Sequence, residues 1–181
     1  AKLTDGVLRL WSQVLKGVPG SRLLLKYVGW FGDEVVRSRI VGRLEANGIG
    51  RERLDLRATD LVRKEQLGLL NEADIALDPF PFNGSTTTFE ALWMGVPVVT
   101  LQGERFVGRV GASVLSALDL PELIASDEEA YVAAAVALAG NRQRLAGLRR
   151  SLRPRIAASP ICDAAGYTRS VETALIEMAG G

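Results

Sequence analysis

From Asp78 to Thr100 the chain reads DPFPFNGSTTTFEALWMGVPVVT, and its run of hydroxyl side chains is where chemistry is to be sought. Ser85, Thr86 and Thr87 follow a sharp Asn83-Gly84 turn and stand where a helical pattern begins. Hydroxyls and the free N–H groups of a helix N-terminus are donors aimed at one spot, which favours an anion and above all phosphate. Thr87 is a good N-cap, and Glu90 three residues later has the spacing of a capping box. Gly95 and Pro97 then close the helix after about two turns.

Strands must present this loop. Residues 75–77 form a short apolar run of the kind a buried parallel strand shows, ended by Asp78, Pro79 and Pro81 because proline donates nothing to a ladder. Residues 96–101 read as the next strand. Strand, tight loop, helix N-terminus and strand make a βαβ unit.

The same alternation runs through the rest of the chain. Val7, Leu8, Leu10, Trp11, Val14, Leu15 and Val18 recur at helical spacing behind Thr4 or Asp5, and Gly17, Pro19 and Gly20 stop the helix. A strand over 22–27 leads to a Gly29-Trp30-Phe31-Gly32 loop whose two aromatics have two readings, a lip over a pocket or a fold back into the core edge. A helix over 33–46, a strand over 54–56, a loop over 58–62 and a helix over 63–71 precede the central unit. After it come a helix over 107–118 rich in small residues, a short strand at 123–124 and an Ala-rich helix from Asp127 to Leu138. Connections too long for hairpins, with strands and helices alternating, specify an α/β fold with a doubly wound, Rossmann-like parallel sheet. A helical tail over about 141–181 is expected to break at Pro154 and Pro160. Its arginines, Arg142, Arg144, Arg149, Arg150, Arg153 and Arg155, spread around a helix and read as a solvated face.

Composition narrows the function. The chain has 181 residues, 48% hydrophobic and 24% charged, enough for one substantial domain over 1–181. Its 22 basic and 21 acidic residues leave a net charge of +1, so no electrostatic case exists for nucleic acid or an acidic membrane surface. One cysteine, Cys162, allows neither an intrachain disulfide nor a cysteine-based zinc site and fits a reducing cytoplasm. No apolar run reaches the roughly 18 residues needed to cross a bilayer. Histidine is absent. Losing the commonest general base near neutral pH counts against a complete transferase or hydrolase, and the abrupt start at AKLTDG fits a fragment.

At LDPFPFNGSTTTFEALWMGVPVVTLQGERFVGRVGAS, followed by LPELIA, the sequence closely resembles the C-terminal lobe of O-linked N-acetylglucosamine transferases and SPINDLY-like protein glycosyltransferases, the GT-B enzymes of glycosyltransferase family 41. The resemblance runs from Lys2 to the region of Tyr167. It implies one nucleotide-sugar-binding lobe of a two-lobed inverting enzyme that moves a sugar, N-acetylglucosamine, from a UDP-sugar to Ser or Thr hydroxyls of proteins. It also implies an N-terminal catalytic lobe and tetratricopeptide repeats as partners, and chemistry without a metal or other cofactor.

The resemblance further assigns residues. Ser85, Thr86 and Thr87 fall at the diphosphate, Asn83 and Gly84 among the other residues that bind the UDP-sugar, and Glu90 at the ribose hydroxyls, beside its capping reading. Lys2 falls at the lysine that contacts the UDP phosphate and answers charge on the departing UDP. Residues 58–66 correspond to the uracil-holding segment. There Arg63 stands at a position usually Lys or another polar residue, and Gln66 replaces the histidine of animal members. Arg109 matches an arginine beside the cleft, with an ion pair to Glu104 or Asp78 as the alternative. Outside this reading stand another GT-B transferase, a UDP-sugar epimerase, and a non-catalytic nucleotide-binding module. The isolated lobe is expected to bind UDP without turnover.

Overall fold

The computed structural model describes residues 2–27 and 29–180. Helix α1, Asp5–Gly17, is capped by Thr4, whose Oγ1 accepts from the Val7 N–H at 3.3 Å. Its buried face carries the expected stripe of Val7, Leu8, Leu10, Trp11, Val14 and Leu15. Complete burial of one such leucine is worth about 1.5–3 kcal/mol, so this face and not helix propensity holds α1 against α2 and α6.

Strand β1, Leu23–Lys26, pairs in parallel with β2, Leu54–Arg57, in the register Leu23 opposite Leu54. Helix α2, Glu34–Ala46, crosses between them behind an Asp33 cap. Helix α3, Arg63–Leu69, leads to β3, Ala76–Leu77, which pairs with β4, Val98–Leu101; β4 pairs in turn with β5, Ile124–Ala125. Every pairing is parallel, as the alternation requires, while the ladder is divided into β1-β2 and β3-β4-β5. One hydrophobic cluster spans both groups, from Leu23 and Leu56 through Val98 and Val99 to Leu115, Tyr131 and Leu152.

Helix α4, Thr86–Trp93, fills the connection from β3 to β4. Gly95 ends it at φ +80°, a conformation costly to any residue with a Cβ, and a Cβ there would also lie 2.6 Å from the Arg149 carbonyl oxygen. Helices α5, Val110–Ala117, and α6, Glu128–Gly140, both pack on β4. Helix α7, Arg142–Ala157, buries Leu148, Leu152 and Ile156, whereas α8, Ala164–Gly180, buries no residue.

Two local expectations change. Pro154 does not break its helix: α7 runs through it, with Pro154 and Arg150, four residues before it, both on an exposed face, where an orphaned carbonyl costs less than it would in the core. The arginines of α7 are largely solvated, with Arg144 paired to Glu122 at 2.6 Å and Arg153 over the Trp93 ring at 5.0 Å. The aromatics of the first loop divide. Phe31 is buried, and Trp30 remains exposed against Tyr27, with ring centroids 4.9 Å apart.

Candidate functional site at the start of the fourth helix

The loop between β3 and α4 is built around a buried carboxylate. Asp78, the residue after β3, is 3% exposed. Its Oδ1 accepts from the Gly84 N–H at 2.6 Å and its Oδ2 from the Thr100 hydroxyl of β4 at 2.7 Å. Its backbone carbonyl accepts from the Tyr131 hydroxyl of α6 at 3.0 Å, and that hydroxyl accepts from the Trp11 indole N–H at 3.1 Å. Burial pushes the Asp78 carboxyl above the ordinary aspartate range, and the Gly84 N–H, the Thr100 hydroxyl and the Lys2 charge pull it back. Burial likewise raises the Tyr131 phenol.

Two glycines make this packing possible. A Cβ on Gly84 would lie 2.5 Å from Thr88 Oγ1, 2.8 Å from Thr87 Oγ1 and 3.1 Å from Asp78 Oδ1. On Gly111, in α5, a Cβ would collide with both Asp78 Oδ2 and Thr100 Oγ1.

Lys2 reaches the same loop from the start of the chain. Its Nζ donates to the Asn83 carbonyl at 2.6 Å and lies 4.5 Å from the centroid of the Phe82 ring. Burial lowers its pKa below the ordinary lysine value, while the Asp78 charge acts in the opposite direction. Asn83 is itself fixed: its N–H donates to the Val107 carbonyl at 2.9 Å and its Nδ2 to the Pro79 carbonyl at 3.1 Å. Asn83 Oδ1 is the one buried side-chain polar atom without a partner among the described residues.

Ser85, Thr86 and Thr87 are exposed at the N-terminus of α4, and Thr88 is buried beneath them. Among the described residues neither the Thr86 nor the Thr87 N–H has an acceptor, so donors of the first turn face outward beside three hydroxyls. Glu90, one turn on, meets Arg63 Nη2 of α3 at 3.2 Å. A cation, helix-terminal donors and a half-buried carboxylate are thus gathered along one edge, a combination suited to a phosphate with a polyol beside it.

That arrangement coincides with a long match of sequence and fold. The family model for glycosyl transferase family 41 matches residues 1–171. The chain belongs to glycosyltransferase family 41. It is 40% identical over 173 residues to a probable UDP-N-acetylglucosamine–peptide N-acetylglucosaminyltransferase SPINDLY of Solanum lycopersicum, covering 96% of this chain and 18% of the relative. A UDP-N-acetylglucosamine–peptide N-acetylglucosaminyltransferase of Caenorhabditis elegans is 33% identical over 178 residues, 98% of this chain and 15% of that protein. The solved structure of a mutant O-GlcNAc transferase from Thermobaculum terrenum superposes with a TM-score of 0.91 at 38% identity, over 98% of this chain and 34% of that one. The chain therefore spans less than a fifth of these two sequence relatives and about a third of the solved structure. The α/β fold with parallel strands and the family membership agree with the reading of the sequence.

The expected residues fall into two groups. Lys2, Asn83, Gly84, Ser85, Thr86 and Thr87 meet at one loop, and Arg63 and Glu90 meet across α3 and α4. Gln66 is exposed on α3, one turn beyond Arg63. Arg109 is exposed where α5 begins and, among the described residues, pairs with neither Glu104 nor Asp78. The capping box is absent: α4 begins at Thr86 behind Ser85, which places Thr87 inside the first turn and leaves Glu90 to Arg63. Sequence reasoning missed Thr100 and Tyr131 as supports of the loop. A threonine in the otherwise apolar run Val98, Val99, Thr100, Leu101 was the available signal, since a buried hydroxyl needs a partner.

Proposed function

We propose that this chain is the UDP-sugar-binding lobe of an inverting protein glycosyltransferase, which passes N-acetylglucosamine from UDP-N-acetylglucosamine to serine or threonine hydroxyls. The observation that carries the reading is the meeting of Lys2 with the loop that opens α4: its Nζ lies 2.6 Å from the Asn83 carbonyl, next to the exposed Ser85, Thr86 and Thr87. A lysine brought 81 residues along the chain to a helix N-terminus concentrates positive potential where a diphosphate can sit. The relatives' names supply the donor and acceptor classes.

In the reaction, the acceptor oxygen bonds to the anomeric carbon and gives up its proton to a base outside this chain, while the bond from that carbon to the β-phosphate oxygen breaks and leaves its electron pair on the departing UDP. Lys2, the outward N–H groups of α4 and the hydroxyls of Ser85, Thr86 and Thr87 bind that growing charge, the part a divalent metal plays in other transferases. Glu90 accepts from the ribose hydroxyls, and Arg63 and Gln66 on α3 flank the base. A catalytic lobe N-terminal to this one, tetratricopeptide repeats and a cytoplasmic setting belong to the same proposal. No helix among the described residues is long and apolar enough to cross a membrane.

Calorimetry with UDP and UMP tests it. UDP binds more tightly than UMP, and Thr86→Ala or Thr87→Ala each weakens UDP by about 1–3 kcal/mol, the range for a hydrogen bond to a charged group. Equal affinities for UDP and UMP remove the phosphate role from this loop.

A further inference from the structure

The peptide group joining Asn83 to Gly84 is held at both ends. Its N–H donates to Asp78 Oδ1 and its carbonyl accepts from Lys2 Nζ, each at 2.6 Å. In a trans peptide these two groups point in opposite directions, so the carboxylate and the ammonium lie on either side of one planar unit. The carboxylate cannot swing, because Thr100 holds Oδ2 at 2.7 Å and Tyr131 holds the Asp78 carbonyl at 3.0 Å. Gly84 is hemmed in as well, by the Thr87 and Thr88 hydroxyls and by Asp78 itself.

We propose that Asp78 is a positioning residue for Lys2, acting through the Asn83–Gly84 peptide. The buried carboxylate fixes the plane of that peptide and polarises it, which makes the outward carbonyl a stronger acceptor for the ammonium. Phe82 supports the ammonium from its ring face. An ammonium has three donors, and with one spent on the Asn83 carbonyl two remain for a phosphate. A carboxylate behind an anion site is tolerable in this arrangement because it is turned inward and uses up the Gly84 N–H, while the Thr86 and Thr87 N–H groups stay outward. The consequence for UDP rests on the functional reading above; the link between Asp78 and Lys2 does not.

That link is read without nucleotide, in the full-length protein, from the rate at which an N-hydroxysuccinimide ester acetylates Lys2. Asp78→Ala frees the peptide and raises that rate at least threefold over the original protein, while Asp78→Asn, whose side-chain oxygen still accepts from Gly84, restores most of the protection. An unchanged Lys2 rate in Asp78→Ala overturns the proposal whatever happens to UDP. A double-mutant cycle then reads the consequence: Asp78→Ala weakens UDP at least tenfold when Lys2 is present and less than threefold in the Lys2→Ala background. Equal factors in the two backgrounds make Asp78 a general support of the fold and overturn its action on Lys2. Should Asp78→Ala not fold, Thr100→Val, which removes one hold on the carboxylate, carries both measurements, with unchanged Lys2 acetylation again the overturning result. If Lys2→Ala binds UDP as the original protein does, the functional reading fails, and acetylation alone judges the link.

Discussion

Arg63 of α3 and Glu90 of α4 face each other at 3.2 Å across the edge of the site, with the arginine 74% exposed and the glutamate only 14%. A pair so open to water on one side contributes little to stability, about 1 kcal/mol at most. Glu90 makes no cap, and its one partner, Arg63, leaves the carboxylate with accepting capacity for ligand hydroxyls. Glu90→Gln is expected to leave the melting temperature nearly unchanged and to weaken UDP and UMP alike by about 1 kcal/mol, because both carry the ribose whose hydroxyls donate to it. Melting curves and calorimetry on the same sample decide. A loss of stability with unchanged affinity makes Glu90 structural.

The site was legible in the sequence wherever local punctuation decides geometry. Asn83-Gly84 before the hydroxyls, and Gly95 with Pro97 after the helix, mark its two ends without help from distant contacts. The phase of α4 was not legible: residues 85–88 are four consecutive hydroxyl residues, any of which can cap, so the pattern alone does not choose among them. Burial chooses. Thr88, Ala91 and Leu92 face inward, which starts the helix at Thr86, leaves Ser85 before it with no capping bond from its side chain, and pushes Thr87 into the first turn. The supports of Asp78 escaped for a related reason, since Thr100 is 22 residues away and Tyr131 is 53, and no periodicity announces a hydrogen bond across a sheet. Lys2 is the instructive intermediate case. Composition gave it no role, and only a resemblance over the whole segment placed it near the loop that the structure shows it touching.

Asp127 links the cap of α6 to pH. Its carboxylate accepts from the Ala130 N–H at 2.8 Å and from the Ser126 hydroxyl at 2.9 Å, and these bonds hold its pKa below the ordinary aspartate value. A carboxyl whose folded pKa is depressed contributes stability above its unfolded value, and that contribution is lost as pH falls through the folded one. Asn also caps well but does not titrate. The advantage of the original protein over Asp127→Asn, followed by thermal melting, is therefore expected to be constant near neutrality and to shrink as pH drops below about 4, the ordinary aspartate range. An advantage that grows on acidification contradicts the assignment. Because α6 packs on α1 and β4 and carries Tyr131, weakening this cap acts on the element that holds Asp78.

The proposed transfer must also remove a proton from the acceptor hydroxyl. Transfer to a hydroxyl needs a base within reach of the acceptor, directly or through one water. This chain has no histidine. Both oxygens of Asp78 are occupied by Gly84 and Thr100 beneath the loop, and the Glu90 carboxylate is paired with Arg63. Lys2, held by one of its three donors on the Asn83 carbonyl, is a cation suited to stabilising negative charge and not to accepting a proton. The groups at the start of α4 are thus equipped to bind a leaving group but not to activate an acceptor. The purified 181-residue chain is expected to bind UDP and to transfer no sugar from UDP-N-acetylglucosamine to a peptide, measured by mass spectrometry after prolonged incubation. Joining it to the N-terminal catalytic lobe proposed above is expected to restore transfer. Sugar transfer by the 181-residue chain alone would show that this lobe holds a base of its own and would sink the division of labour proposed here.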